Sequence, residues 1–388
     1  MGIRILRAVP GLNVHLYPSD FTAESRILKI TEAVTAEGIF DRVLMLGTWR
    51  EGLPRRVQVD ARREIRRLGR SKAEGGLLNK VRGTLGWYLA VWRELRGEQV
   101  ACVNCHSLPI LPLCIALKWR HRALLVYDTH ELETETTMSR GIRRPVQKIL
   151  ERVCMPFVDA TFVVGRRIAE WYRRAYGIDA CVIRNMPRRV PADAKPSPLR
   201  AACGIPDDAI VYLYLGIVAP GRGLEDTMEV FRGLPDRYVV FMGNGPGVPS
   251  VEAAGRTHPN IRHMPAVPPE DVAAVARGAD VGIWLQKIEC LSYAYACPNK
   301  FFEYIQAGLP VVVVDDAIEL RDLIRERRLG WTVPHQAAQA AEVLRGIGPR
   351  EIATAREAVR AVQPEMHWDI ERERLVRAYR GIVGARDG

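Results

Sequence analysis

No stretch of this chain reaches the roughly 18 uninterrupted apolar residues that a membrane-spanning helix requires. The most apolar run, LPILPLCIAL from Leu108 to Leu117, is too short and carries two prolines. The first residues lack the apolar core and small-residue cleavage site of a secretory signal, so the expected location is the cytoplasm. Cysteine is scattered as well as scarce. Eight in 388 residues fit reduced thiols rather than a disulfide scaffold. Cys102 and Cys105, followed by His106, come nearest to a zinc or redox motif, but no second cysteine pair completes it. They read as small core residues of a strand, with His106 at its end. No recognisable nucleic-acid module accompanies the basic residues, which sets nucleic acid aside as a partner.

Charge is present but uneven. Residues 1–199 carry 34 Lys and Arg against 20 Asp and Glu, a net +14, while residues 200–388 carry 22 against 25. Much of the excess sits in RREIRRLGRSK, Arg62 to Lys72. Two readings fit it: a solvated helix face in an arginine-heavy chain, or a surface that meets anionic lipid or an acidic acceptor. Trp87, Tyr88 and Trp92 on the next helix read as core, with lipid-headgroup contact as the second reading.

The length exceeds one ordinary core, so two domains are expected. Short β-branched runs alternate with longer helical patterns, the pattern of parallel α/β sheets. IRILRAV begins as a strand and breaks at Pro10-Gly11. The segment from Pro187 to Asp208 is rich in proline and charge, has no sustained period, and reads as a linker. The alternation then restarts. The expected organisation is a Rossmann-like domain over 1–190, a linker over 191–207, a second Rossmann-like domain over 208–365, and a final helical segment over 366–388. Ligands of such sheets sit at the carboxyl ends of the strands, so two facing domains leave an interdomain cleft.

Three segments carry candidate chemistry. In CPNKFFEYIQAGLPVVVVDD, Cys297 to Asp316, Asn299 is a candidate N-cap for a helix that holds Lys300 and Glu303 in its first turn. That helix end favours an anion, and Glu303 has the chemistry to accept hydrogen bonds from a ribose diol. A capped core helix whose Lys and Glu face solvent fits the spacing equally well. GIVAPGRGL, with Gly221 and Arg222, is a strand-loop-helix suited to a phosphate. MGNGPG, with Gly243 and Gly245, is a second glycine-rich strand end. Finally, YDTHELETE puts His130 beside Glu131 just after an apolar strand, where a buried structural histidine is the competing reading.

LGIVAPGRGLED, FMGNGPG, PNKFFEYIQAGLPVVV, VYDTHE and the terminal W…L…Y helix together resemble the GT-B glycosyltransferases of family 4. Order and spacing match over nearly the whole chain. The resemblance implies a retaining transferase with an α/β GT-B fold, a nucleoside-diphosphate sugar as donor, and no bound metal or other cofactor. It places the donor in the second domain and a glycan or lipid-linked acceptor in the first, with the last helix crossing back to the first. The expected setting is envelope or exopolysaccharide assembly, with peripheral contact to the inner face of the plasma membrane through the basic half. His130, Arg222 and Lys300 become the catalytic candidates. Glu303, Asn299, Gly221, Gly243, Gly245, Ser292 and Gly11 become donor-binding candidates. Two positions depart from the family pattern: its first paired glutamate falls at Tyr295, and an arginine common after the first strand of the donor domain is Ile217. Ser292, Glu289 or a backbone group then takes up those contacts.

A nucleotide-sugar epimerase on the same fold needs carboxylates and histidines converging on one sugar carbon, and a phosphorylase needs a pyridoxal-phosphate lysine. Neither pattern is present. A non-catalytic protein that holds an anionic lipid or polymer through its basic half is the remaining alternative.

Overall fold

The computed structural model describes residues 9–69, 77–190 and 199–385. It divides into two units, Met1–Arg184 with Arg372–Gly388, and Asn185–Glu371.

The first unit is built on strands β1 (Val9–Leu16), β2 (Phe40–Thr48), β3 (Arg56–Gln58), β4 (Arg63–Leu68), β5 (Val100–Cys105), β6 (Leu124–Asp128), β7 (Ala160–Val163) and β8 (Cys181–Val182). They form one sheet in the order β3-β4-β2-β1-β5-β6-β7-β8. Only β3 and β4 pair antiparallel. Helices α1 (Ser25–Ala36), α2 (Leu77–Glu94), α3 (Leu111–His121), α4 (Arg143–Cys154) and α5 (Arg166–Tyr176) make the connections. Every residue of β5 and β6 is buried, which explains why VACVNC and LLVYD show no polar alternation. The strand order reverses between β1 and β5, so the switch point of this sheet lies at their carboxyl ends, Leu16 and Cys105.

Pro10-Gly11 does not end the first strand. β1 passes through the pair with a register irregularity between Val9 and Leu12. Gly11 accommodates it at φ 129°, where a Cβ would stand 2.8 Å from the Gln99 carbonyl oxygen. Residues before Val9 lie outside the described residues. The arginine-rich run is not a helix face either. Arg63–Leu68 is strand β4, and Arg70–Lys72 lie outside the described residues. Its charges are matched locally: Arg63 meets Asp60 at 2.6 Å, and Arg66 meets Glu64 at 2.7 Å and Glu94 at 2.8 Å. Arg67 is buried and donates to the Asp20 and Pro54 carbonyl oxygens. Trp87 is core, its Nε1 donating to the Gly47 carbonyl oxygen at 2.9 Å.

In the second unit, β9 (Ile210–Leu215), β10 (Arg237–Met242), β11 (Ile261–Met264), β12 (Val281–Trp284), β13 (Val311–Val314) and β14 (Gly330–Val333) form an all-parallel sheet in the order β11-β10-β9-β12-β13-β14. This is the doubly wound order, with its switch point between β9 and β12. Helices α6 (Leu199–Cys203), α7 (Leu224–Arg232), α8 (Val248–Thr257), α9 (Val272–Ala276), α10 (Leu291–Ala294) and α11 (Asn299–Gln306) precede three more between Ile318 and Val362. Helix α11 buries Phe301, Phe302, Tyr304 and Ile305, as its amphipathic pattern requires. Tyr304 fixes it in place. Its ring packs where Gly282 has no side chain, and its hydroxyl accepts from Leu215 N at 2.8 Å and donates to the Ile283 carbonyl oxygen at 3.1 Å. The helix is thereby pinned beneath the ends of β9 and β12.

Of the segment read as linker, residues 191–198 lie outside the described residues. Leu199, on α6, is fully buried in the core of the second unit. The C-terminal helix Trp368–Gly384 places Tyr379 in the first unit, where its ring meets Phe40 and Phe162 edge-on and its hydroxyl donates to Asn104 Oδ1 at 2.6 Å.

Candidate functional site

The switch point of the second unit collects positive charge. The chain leaves β9 at Gly216, turns through Arg222, and enters α7. Tyr214, the penultimate residue of β9, holds that loop: its hydroxyl lies 3.1 Å from both the Ile217 and the Arg222 carbonyl oxygens. Gly223 lets the loop touch the chain leaving β12, since a Cβ there would sit 2.7 Å from Gln286 N. From α11, Lys300 reaches up so that its Nζ lies over the Tyr214 ring and 3.4 Å from where a Gly216 Cβ would be. Burial pushes the Lys300 ammonium down to about 8; Arg222 acts in the same direction and the Glu303 carboxylate against it. Arg222 is exposed, and among the described residues its guanidinium has no carboxylate partner.

Arg222 and Glu303 are thus each within electrostatic reach of Lys300. Two cations at one strand end form a place for a polyanion, and a guanidinium offers it a bidentate fork. Several expected roles change. Asn299 is the first residue inside α11 and not its cap; Pro298 takes that place with φ −70° and ψ 146°, and no side chain caps the end. Glu303 stands one turn further in, beyond the first turn. Ser292 is 1% exposed within α10, whereas Glu289 is exposed and Tyr295 half-buried.

The glycines divide into two kinds. A Cβ on Gly243 would lie 1.8 Å from the Gly216 carbonyl oxygen, and one on Gly245 would lie 2.2 Å from that of Val218. Packing of the loop after β10 against the loop after β9 accounts for both. Gly221 differs: it is exposed at φ 72° with nothing near its Cβ position. Gly11 lies at the amino-terminal end of β1, the end opposite the switch point, with its N–H donated to Asp41 Oδ2 at 3.1 Å. The reason is that β1 runs on to Leu16, so the loop that follows it starts at Tyr17 and not at Gly11.

The first unit gathers histidines at its own switch point. His15 near the end of β1, His106 after β5, and Asp128 and His130 at and after β6 come from three neighbouring strands. His15 Nδ1 and His106 Nε2 are 2.9 Å apart, and His106 Nδ1 lies 3.2 Å from Asp128 Oδ2. His130 is half-buried, with Nε2 at 3.2 Å from His106 Nδ1 and 3.6 Å from Asp128 Oδ2. Arg26 of α1 grips both Asp128 oxygens, and its other nitrogen donates to the Ile183 carbonyl oxygen at 2.6 Å. Burial alone would raise Asp128; Arg26 and the two histidines outweigh it and hold the carboxyl well below its usual range. Burial pushes His106 down to about 4 and His15 well below its ordinary value. Both rings are thus neutral near pH 7.

That neutrality orders the protons. Asp128 only accepts, so His106 Nδ1 carries the hydrogen and His106 Nε2 accepts from His15 Nδ1. His15 Nε2 is then a bare lone pair, in keeping with its lack of a partner. The ligand atoms of His106, Asp128 and His130 lie within 4.8 Å of one another, close enough for a metal ion. Arg26, however, already engages both oxygens and adds a positive charge, so the group is a hydrogen-bonded network. Glu133 ties the neighbouring loop down, accepting from Leu108 N at 2.9 Å and the Ser107 hydroxyl at 3.2 Å.

Sequence reasoning found His130 and placed His106 at a strand end. It missed His15, Asp128, Arg26 and Tyr214. The available signal was a polar residue near the end of an otherwise apolar strand, as in NVHLY and LLVYD.

Residues 23–192 match the family model described as Glycosyltransferase Family 4, and residues 209–347 match Glycosyl transferases group 1. Among curated proteins no sequence matches the chain. Solved structures share its fold. A sucrose-phosphate synthase from Thermosynechococcus elongatus is similar at a TM-score of 0.77 with 15% identity, covering 97% of this chain and 100% of that one. The Anabaena protein HepE, in complex with UDP-glucose, gives a TM-score of 0.70 with 13% identity over 96% of this chain and 100% of that one. WaaG, a glycosyltransferase involved in lipopolysaccharide biosynthesis, gives 0.62 with 15% identity over 97% and 100%.

Proposed function

Because the chain belongs to the GT-B glycosyltransferases of family 4 and group 1, we propose that it moves a sugar, with retention, from a nucleoside-diphosphate sugar to a glycan or lipid-linked acceptor. The observation that carries this reading is the pair of cations, Arg222 and Lys300, at the switch point of the second unit. Breaking the bond to the anomeric carbon leaves a diphosphate with more negative charge than the bound donor had. Arg222 and Lys300 stabilise that charge more in the transition state than in the ground state, which is the condition for speeding the step. Two fixed cations supply this charge themselves, so the proposed reaction draws on no metal or other cofactor.

Glu303 accepts from the ribose hydroxyls of the donor. His130, held by His106 and Asp128, meets the donor sugar close to the reacting carbon. The acceptor hydroxyl attacks from the side of the leaving group, and the departing phosphate takes its proton. The setting is envelope or exopolysaccharide assembly in the cytoplasm, with peripheral membrane contact through the first unit.

The HepE complex contains UDP-glucose, which makes UDP-sugars the first donors to try. Thermal melts with UDP-, GDP-, ADP- and dTDP-sugars test the reading, since ligand at 100 times its Kd adds about 2.7 kcal/mol of stability. One donor raises the melting temperature and is turned over with an acceptor. Failure of all four to stabilise the protein removes the donor assignment.

A further inference from the structure

Helix α4 presents an aliphatic stripe to solvent. Ile142 at its cap and Val146, Ile149 and Val153 within it follow the spacing of one helical face, and are 80%, 56%, 64% and 61% exposed. Phe157, one turn beyond, extends that face. Its ring packs edge-on against Trp119 of α3, itself largely exposed, with centroids 5.2 Å apart. Single exposed aliphatics are ordinary on protein surfaces; a contiguous stripe marks a surface that something covers.

The surrounding charge decides what covers it. Between Met138 and Phe157, five Lys and Arg stand against one acid, Glu151. Glu151 is fully buried and accepts from the Tyr172 and Tyr176 hydroxyls at 2.5 and 2.8 Å. Arg144 and Lys148 share the buried Glu135. Arg140, Arg143 and Arg152 stay exposed, without a carboxylate partner among the described residues. A second copy of this face would set arginines against arginines, which like-charge repulsion opposes. An anionic bilayer satisfies both features: aliphatic side chains enter the acyl boundary while the arginines meet headgroup phosphates.

We propose that this face of the first unit, centred on α4, lies in the headgroup–acyl boundary of an anionic lipid membrane and docks the protein there. The inference rests on the membrane contact in the reading above and names the residues that make it. No helix among the described residues is long and apolar enough to cross a membrane, so the contact is peripheral.

The full chain is sedimented with phosphatidylcholine vesicles, with and without phosphatidylglycerol. Wild type binds the phosphatidylglycerol vesicles. Val146→Glu with Ile149→Glu weakens that binding by about tenfold or more, and Arg140→Glu with Arg143→Glu removes the preference for anionic lipid. These side chains are exposed, so the variants keep the wild-type melting temperature, which is checked. Wild-type binding to neither vesicle, or equal binding by the Val146→Glu/Ile149→Glu variant, overturns the proposal. A concentration-dependent dimer that this variant dissolves, without vesicle binding, also overturns it, in favour of a second copy. UDP titration of the same samples keeps the two readings apart: vesicle capture without nucleotide binding supports the docking face while the donor assignment fails.

Discussion

The Lys300 ammonium nitrogen lies 5.0 Å from the centroid of the Tyr214 ring. The same tyrosine uses its hydroxyl to tie down the loop that carries Arg222. One side chain thus holds Lys300 through its π face and the loop of Arg222 through the backbone. Burial of the Lys300 ammonium within reach of the Arg222 guanidinium costs free energy, as its lowered pKa records, and an anion bound to the two cations would offset that cost.

Removing either cation is expected to slow the chemical step. Arg222→Ala and Lys300→Ala should each lower kcat by about 10²–10³, with kcat/KM falling at least as far. Steady-state kinetics with saturating donor reads this. Near-normal turnover by both variants removes the mechanism.

Donor affinity should depend on pH through Lys300. In the free protein this group loses its proton as pH rises through about 8, and an anionic ligand raises its pKa again. Affinity for a nucleoside diphosphate is therefore flat below that value and falls by up to about tenfold per unit above it, with proton uptake on binding. For stability the sign is opposite. The unfolded chain binds more protons than the folded one between about 8 and 10.5, so the Lys300 contribution improves as pH rises through that window. Lys300→Arg keeps its charge, and its affinity profile should stay flat to alkaline pH. A wild-type affinity that rises above pH 8 contradicts this.

The glycines give a structural contrast. Gly243→Ala forces a Cβ against the Gly216 carbonyl oxygen from a φ of 154°, and should cost about 2 kcal/mol or more in a denaturant titration. Gly221→Ala meets no atom and should cost only about 1–2 kcal/mol for its left-handed backbone. Equal losses would show that the two loops do not pack as described.

The first unit depends on a buried ion pair. Asp128→Asn leaves the 4% exposed Arg26 without its counter-charge, a change expected to cost about 3–5 kcal/mol. Chemical denaturation measures it. A loss below about 1 kcal/mol would mean that water reaches Arg26.

Much of this was legible in the sequence. The alternation of strands and helices and the break into two sheets follow from local pattern, whereas the grouping of Arg222 with Lys300 and Glu303 came from the family resemblance. What escaped was whatever depends on long-range pairing. Arg26 and Asp128 are 102 positions apart, and His15 and His106 are 91, so only the sheet order brings them together. The arginine run from Arg62 misled because its partners, such as Glu94, sit on another element. Gly11 misled because Pro10-Gly11 has the look of a strand end, whereas the backbone uses the glycine for a bulge inside one.

Calorimetric titration with UDP, GDP, ADP and dTDP, on wild type and on Arg222→Ala and Lys300→Ala, tests the central claim most directly. The account predicts that one of these diphosphates binds the wild-type protein and that each substitution weakens it by about tenfold or more. Binding of none, or binding that both substitutions leave unchanged, would contradict it.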